Sequence, residues 1–328
     1  MTIKIDISIV QVLNVHHLFI INPTAGKVDK TKELTAKIKE CFINRTDNYD
    51  IVSTTRPFEA TEIADSWGDK MGTSQLRIYA CGGDGTLSEV VTGAYKHLNC
   101  AVGAIPIGSG NDFVKAYEPL VKADFLSLDR MIDGDIDAID LLTVNDKIIE
   151  TKASINIVSV GFDAAIANGM KKYKKLPFVS GSMAYNLSLI QNLFTSLKHR
   201  FIFEVDGNPI DAVNRDYLLV IAANGRWYGG GFKAAPIAEL SDGLLDFIRI
   251  PSVPISKIIN LVQIFKRGEH LEKLKIVEFL RCRKLKILAE KPINVNVDGE
   301  IYKMTNPEIS LLPKSMRIIV PKPIAVKA

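Results

Sequence analysis

Residues 76–86, LRIYACGGDGT, decide how this chain folds. Leu76 to Cys81 is a short, mostly apolar run of strand length, and it leads straight into Gly82-Gly83-Asp84-Gly85-Thr86. Three glycines among those five residues let the backbone take positive φ and approach a ligand closely. The next apolar residues, Leu87, Val90, Val91, Ala94, Tyr95 and Leu98, recur with the period of a helix. A strand, a glycine turn and a helix N-terminus in that order favour an anion, because free amides and the helix dipole both point at it. Asp84 would repel a bare phosphate, so it makes sense there beside a magnesium ion or an alcohol proton. Taken alone, the loop reads equally well as a tight turn with Asp84 capping the helix. The P-loop pattern GxxxxGK[ST] is absent, which removes P-loop nucleotidases from consideration.

The pattern repeats on both sides. His17 to Ile21 reads as a strand ending in Asn22-Pro23-Thr24-Ala25-Gly26-Lys27, where Lys27 can meet a phosphate as a point charge. Asp29 then caps a helix whose apolar face is Leu34, Ile38, Cys41 and Phe42. A strand at Ile51–Thr54 and a helix at Glu59–Met71 lead into the opening stretch, and a strand at Ala101–Ile107 follows it. That strand ends in Gly108-Ser109-Gly110-Asn111-Asp112, a third loop of small residues with a hydroxyl and a carboxylate. Such alternation predicts a parallel sheet covered on both faces, with ligands beyond the carboxyl ends of its strands. All three loops fall there.

From about Ile139 the texture changes to short alternating runs joined by hairpin turns. Strands are expected at Phe201–Val205, Tyr217–Ala222, Leu244–Ile250, Leu285–Leu288, Ile293–Val297 and Met316–Val320, with helices near Met183–Leu197 and Ile255–Phe265. The expected fold is α/β with two domains. Residues 1–138 form a nucleotide-binding three-layer α/β/α domain with a parallel sheet and the GGDGT loop. Residues 139–315 form a mainly antiparallel β-sandwich with helices, and the tail 316–328 is a candidate to return to the first domain.

At 47% hydrophobic and 24% charged, the 328 residues have a globular composition that excludes wholesale disorder. A net charge of +4 is too small to argue for nucleic acid, and no nucleic-acid reader motif is present. Cys41, Cys81, Cys100 and Cys282 show no CxxC or zinc spacing, which fits reduced intracellular thiols. The apolar N-terminus lacks a basic flank and carries Asp6, so it reads as a strand rather than a signal peptide. No window of membrane-spanning length is both apolar and uncharged. The expectation is a cytoplasmic protein that touches membranes from that side. Lys171, Lys172, Lys174 and Lys175 form one basic cluster, and Arg281, Arg283, Lys284 and Lys286 another. Each cation near an anionic surface is worth about 1 kcal/mol, though either cluster also reads as a solvated face. The helix at Met183–Leu197 could wall an acyl groove or simply pack the core. Asp298-Gly299-Glu300 follows the alternating strand Ile293–Val297 and by itself reads as an ordinary hairpin turn.

The segments FIINPTAGK (19–27), STT (53–55), CGGDGTLSEVV (81–91), GAIPIGSGNDF (103–113), ANGRWYGGGFKAAPIAELSDGLLD (223–246), RGEH (267–270) and NVDGE (296–300) together resemble the bacterial diacylglycerol/lipid kinase family. That family is related to the sphingosine and ceramide kinases. The resemblance is collinear from about Phe19 to Val320 and implies a Mg2+-dependent kinase that uses ATP to phosphorylate a lipid hydroxyl. It implies that Asn22, Pro23, Thr24, Lys27, Thr54, Gly83, Asp84, Gly85, Thr86, Leu87, Ser88, Glu89, Ser109 and Asp112 line the nucleotide. Family members often carry Thr where this chain has Ser109, and the hydroxyl is kept. Asp242 would hold a structural magnesium with the main-chain oxygens of Glu239 and Leu244. Asp84 and Asp112 would organise a catalytic magnesium. Asp298 and Glu300 are the implied bases, but in the sphingosine kinases the GGDGT aspartate is itself a candidate, so the base stays open among Asp298, Glu300 and Asp84. An anionic membrane surface and, through an open edge strand, a homodimer are the expected partners. A soluble-alcohol kinase of the NAD-kinase kind and a non-catalytic regulator are the alternatives. The RGEH and SDGLLD elements speak against the first, and the intact acids against the second.

Overall fold

The computed structural model describes residues 15–147, 149–161, 198–210 and 215–323. The Lys171–Lys175 cluster and the helix expected at Met183–Leu197 lie outside the described residues. Strands β1 (His16–Ile21), β2 (Asn48–Ser53), β3 (Leu76–Gly82) and β4 (Cys100–Pro106) alternate with helices α1 (Thr31–Cys41), α2 (Glu59–Met71) and α3 (Asp84–Ala94). A 3-10 turn at Phe113–Tyr117 and short helices α4 (Lys122–Phe125) and α5 (Leu128–Ile132) lead to β5 (Asp135–Asn145). There follow β6 (Lys152–Ser154), β7 (Ile157–Gly161), β8 (His199–Arg200), β9 (Ile202–Val205), β10 (Asn208–Ile210), β11 (Asp216–Ala223) and β12 (Leu245–Pro251). Helices α6 (Ile255–Lys266) and α7 (His270–Lys273) precede β13 (Glu278–Cys282), β14 (Lys284–Leu288), β15 (Ile293–Val297), β16 (Glu300–Met304) and β17 (Glu308–Val320).

Strands β4, β3, β1 and β2 lie side by side and parallel, as the alternation required. The residues of β1, β3 and β4 are buried on both faces, Leu18 to Ile21 and Ile78 to Cys81 being almost wholly inaccessible, while β2 at the edge is partly exposed. Helix α1 turns Leu34 and Ile38 into this core, whereas Leu98 lies past the end of α3 and is exposed. Of the remaining expected strands, those at Tyr217–Ala222, Leu244–Ile250 and Ile293–Val297 appear as β11, β12 and β15 of an antiparallel sheet ordered β13-β12-β11-β7-β15-β16, whereas those at Phe201–Val205, Leu285–Leu288 and Met316–Val320 appear as β9, β14 and β17 of the first sheet. The two-part α/β architecture is thus the observed one.

The long strand β17 ties the two parts together. Its C-terminal half runs parallel to β4 (Ile318 opposite Val102), while its whole length pairs antiparallel with β5. Strands β14, β9 and β10 continue the same sheet outward. The antiparallel sheet packs on that extension through Phe203, Tyr217, Phe247, Val160 and Leu285, giving a sandwich core. Phe203 is fully buried there, its ring 5.2 Å from both Tyr217 and Phe247. Burying a side chain of that size is worth about 1.5–3 kcal/mol. The outer face of the antiparallel sheet is covered by Ile258, Leu261 and Phe265 of α6. Among the described residues no helix is long and apolar enough to cross a membrane.

Candidate active site

The carboxyl ends of β1, β3 and β4 are neighbours, so their three loops meet. Asn22 extends the ladder through its N–H to the Cys81 carbonyl (3.0 Å), and its Oδ1 accepts from the N–H and hydroxyl of Thr24. That local turn frees Asn22 Nδ2 to donate to Thr86 Oγ1 of the second loop at 3.0 Å. Gly26 has φ +86°, and a Cβ there would stand 2.8 Å from the Ile107 carbonyl, so the first loop also seats against the third. The second and third loops touch backbone to backbone. Gly108 N–H donates to Gly82 O (3.0 Å), and a Cβ on Gly108 would meet Gly83 Cα at 2.5 Å. Glycine is needed at Gly26 and Gly108 for close approach, more than for flexibility.

Asp84 opens α3 and stitches the third loop to it. Its Oδ1 accepts from the Asp112 N–H (2.6 Å) and the Phe113 N–H (3.2 Å). Its Oδ2 points at Gly110, where a Cβ would intrude at 2.8 Å. Burial holds the Asp84 pKa above the usual carboxylate range, and the facing Asp112 adds to the rise. Asp112 is itself buried, with Oδ1 taking Lys115 Nζ (2.6 Å) and Oδ2 taking the Gly230 N–H (2.6 Å). Gly229, Gly230 and Gly231 all have positive φ, so the glycine-rich turn reaches across from the second sheet to Asp112.

The other expected residues divide by exposure. Thr24, Lys27 and Ser109 are exposed at the loops, and Asn22 and Pro23 are half-buried. Thr54 is buried beside them, its N–H donating to Ile21 O. Leu87 faces the core, so it can meet a ligand only through its main chain. Thr86 and Ser88 are also buried. Glu89 turns toward the start of α2, accepting from the Ala60 N–H at 3.3 Å. Burial raises its pKa, and the negative charge of Glu300 contributes. The acidic turn of the second sheet therefore faces the helix that Asp84 begins.

Within that turn the two acids differ. Asp298 and Gly299, both at positive φ, form the two-residue loop between β15 and β16. The Asp298 carboxylate accepts from Ser154 Oγ (2.8 Å) and from the N–H groups of Ile155 (2.8 Å), Asn156 (3.1 Å) and Ile157 (2.9 Å). Burial raises its pKa, and those four donors pull it back. Its lone pairs are spent on the fold. Glu300 is half-buried at the head of β16, where its charge also raises the pKa of Tyr302 after burial.

The magnesium expected at Glu239, Asp242 and Leu244 meets a different arrangement. Asp242 Oδ1 accepts from the Leu244 N–H (3.0 Å), and its Oδ2 faces Arg281 Nη1 at 3.5 Å. Among the described residues no three His, Cys, Asp or Glu side chains are placed to share a metal. The Asp242 carboxylate, engaged by an N–H on one oxygen and facing a guanidinium on the other, does not fit the ion. Asp84 offers the ion one hard oxygen, since its Oδ2 lies off the amide bonds from Asp112 and Phe113.

Sequence reasoning passed over several groups. Lys122 donates to Gly108 O (3.0 Å), and burial together with Lys30 lowers its pKa, so two cations stand by the small-residue loops. Asp140 is fully buried and holds the N–H groups of Gly243 and Lys314, both at 2.7 Å. His270 of the RGEH element is fully buried against Phe265, and burial lowers its pKa to about 4. His17, buried in β1 with Nδ1 2.9 Å from Tyr79 Oη, is likewise lowered to about 4 by burial. Both imidazoles should stay neutral through pH 5 in an NMR titration of the folded protein, although an unperturbed histidine would be mostly charged there. A native-state midpoint near the ordinary histidine value would contradict their burial.

Comparison with known proteins follows the same division. Residues 16–144 match the diacylglycerol kinase catalytic domain, and residues 156–320 match the YegS C-terminal NAD kinase beta sandwich-like domain. A diacylglycerol kinase of Bacillus subtilis (strain 168) is 28% identical over 312 residues, covering 92% of this chain and 95% of its own. A diacylglycerol kinase of Mycobacterium tuberculosis is 28% identical over 246 residues, covering 75% of this chain and 77% of its own. A crystal structure of a diacylglycerol kinase from Bacillus anthracis superposes with TM-score 0.64 at 19% identity, over 95% of this chain and 98% of that one. A second chain from the same strain reaches 0.72 at 21% identity, over 95% and 96%. At such identities the superpositions speak for the fold.

Proposed function

Because this chain belongs to the bacterial diacylglycerol/lipid kinase family, we propose that it transfers the γ-phosphoryl group of ATP to a hydroxyl of a lipid such as diacylglycerol, with magnesium as the accompanying ion. One observation carries the reading: Asp84 binds two phosphate-loop segments into a single surface, beside a helix whose Glu89 feels Glu300 from the other sheet. Phosphoryl transfer needs such a cradle, a means of neutralising charge and an acceptor for the alcohol proton.

The glycine turns at Gly82–Gly83 and Gly108–Gly110 bring main chain against the phosphates, and Lys122, Lys30 and Lys27 add positive potential. Bound magnesium would supply charge neutralisation on the phosphoryl oxygens, and Asp84 Oδ2 is the oxygen this chain offers it. Glu300 accepts the proton of the attacking hydroxyl. Asp298, with its oxygens committed, positions Glu300 by fixing the turn. Glu300→Gln should therefore lower kcat by about 10²–10⁴-fold while leaving the melting temperature nearly unchanged. A variant with more than about a tenth of the wild-type rate would remove Glu300 from that role.

Peripheral membrane contact is part of the proposal, since each acyl methylene drawn into water costs about 0.8 kcal/mol. Of the second basic cluster, Arg281 is paired with Asp246, Lys284 with Glu308 and Lys286 with Glu204. The attraction then falls mainly to Lys171, Lys172, Lys174 and Lys175. The test of function is an acceptor panel offered with ATP and magnesium. Lipid hydroxyls in anionic vesicles should be phosphorylated, and soluble alcohols and NAD should not. The rate on vesicles should fall as salt rises, because the screening length is about 10 Å at 0.1 M. A preference for a soluble acceptor would overturn the lipid reading.

A further inference from the structure

The segment between the glycine-rich turn and β12 runs over the surface of the antiparallel sheet, and something must hold it there. We infer that the guanidinium of Arg281 is the resident cation of this segment, in the place where the family resemblance calls for a structural magnesium. Arg281 stands directly across from Asp246 in the β12–β13 ladder, so the register alone brings the two side chains to one face. From that position the guanidinium reaches three points of the segment. Its Nε donates to Asp246 Oδ1 at 3.0 Å, its Nη2 donates to the Ile237 carbonyl at 3.0 Å, and its Nη1 faces Asp242 Oδ2 at 3.5 Å.

Those contacts do what a structural ion does. They join a main-chain oxygen and two carboxylates that lie at residues 237, 242 and 246, and they neutralise part of the negative charge contributed there by Glu239, Asp242 and Asp246. The planar fork suits the task, since its donors are fixed in direction and its charge is permanent. Magnesium suits it less. The ion demands near-octahedral oxygen ligands at about 2.1 Å. The main-chain N–H of Leu244 already occupies Asp242 Oδ1. An ion on Oδ2 would lie within a few ångströms of the guanidinium, where a divalent and a permanent positive charge repel each other. Asp246 Oδ2 is buried with no hydrogen-bond partner among the described residues, so Asp246 depends on Arg281 for its one charge-assisted bond.

The inference stands apart from the proposed lipid kinase activity, and thermal melting without nucleotide or lipid tests it independently. The wild-type melting temperature should agree within about 1 °C in EDTA and in millimolar magnesium chloride, because a ligand that does not bind the native state cannot raise it. Arg281→Met should lower that temperature by about 5 °C or more, since it leaves the buried Asp246 carboxyl without its hydrogen-bonded cation. Adding Asp246→Asn to Arg281→Met should restore at least half of the loss. A fall of several degrees when wild-type protein is moved from magnesium to EDTA would overturn the inference, as would an Arg281→Met protein that melts like wild type. Failure of the double variant to recover would also overturn it, because the cost would then lie in packing rather than in the stranded carboxyl.

Discussion

Asp84→Asn is expected to lower kcat/KM by at least about 100-fold with little change in melting temperature. The substitution preserves shape, and an amide Oδ1 can still accept from the Asp112 and Phe113 N–H groups that Asp84 now serves. The turn also rests on Gly82, Gly83 and Gly108, whose packing does not involve the carboxylate. What disappears is the negative charge, and with it the oxygen offered to magnesium. Groups that neutralise developing charge in a dry site usually contribute about 3–4 kcal/mol, which is a factor of several hundred in rate. The facing Asp112 sharpens the expectation. It raises the Asp84 pKa in the free protein, so removing one of the two acids should relieve repulsion and keep the fold intact or slightly more stable. The check is steady-state kinetics alongside a thermal melt. Activity near wild type would show that the loop needs only its glycines and amides.

Asp298→Ala should have the largest effect on stability. Four donors converge on this carboxylate, three of them backbone N–H groups from Ile155, Asn156 and Ile157. Alanine would leave them without an acceptor in a region where Ile155, Asn156 and Ile157 are buried. Each stranded donor costs about 1–3 kcal/mol, so the total is on the order of 4 kcal/mol or more. For a chain of this size that corresponds to a fall of roughly 10 °C in melting temperature. Asp298→Asn should fall between, because the amide retains one accepting oxygen and presents a donor where the other stood. Both variants should lose activity along with stability, in contrast to Glu300→Gln, which should lose activity alone. If Asp298→Ala melts like wild type and only its turnover suffers, Asp298 rather than Glu300 is the better choice of base.

The three small-residue loops were legible in the sequence because their pattern is local. A buried strand, a run of small residues and a helix start sit next to one another at Gly82–Thr86, and the same grammar recurs at Asn22 and Gly108. Strand β17 was legible only in part. Met316–Val320 reads as a strand, but the observed element begins at Glu308. Pro313 and Lys314 interrupt the pattern at a register shift between Leu312 and Met316, with Lys314 at φ +47° and its N–H given to Asp140. A proline at a bulge costs no ladder bond, yet in the sequence it looks like a strand boundary.

The same limit makes Asp298 and Glu300 look alike in the sequence. Two carboxylates flanking a glycine look interchangeable until Ser154 and its neighbours, far away in sequence, are seen to claim one of them. Asp140 was missed for that reason as well, since it holds a loop 103 residues further along the chain. The basic run at Arg281–Lys286 reads in the sequence either as a lipid-facing patch or as a solvated face, and in the structure Asp246, Glu308 and Glu204 arrive from other strands to pair with Arg281, Lys284 and Lys286. Charge in a sequence is a count, whereas charge at a surface depends on who stands opposite.

The central claim is that this chain moves phosphate from a nucleotide to a lipid hydroxyl, and the position of a label tests it most directly. Purified protein incubated with ATP labelled in the γ-phosphate, magnesium and diacylglycerol in anionic vesicles should transfer the label into the organic-extractable lipid fraction. The product should be a phosphomonoester, and Glu300→Gln should slow its appearance without slowing vesicle binding. Label recovered only as inorganic phosphate or on an added soluble alcohol, with none in the lipid, would contradict the account.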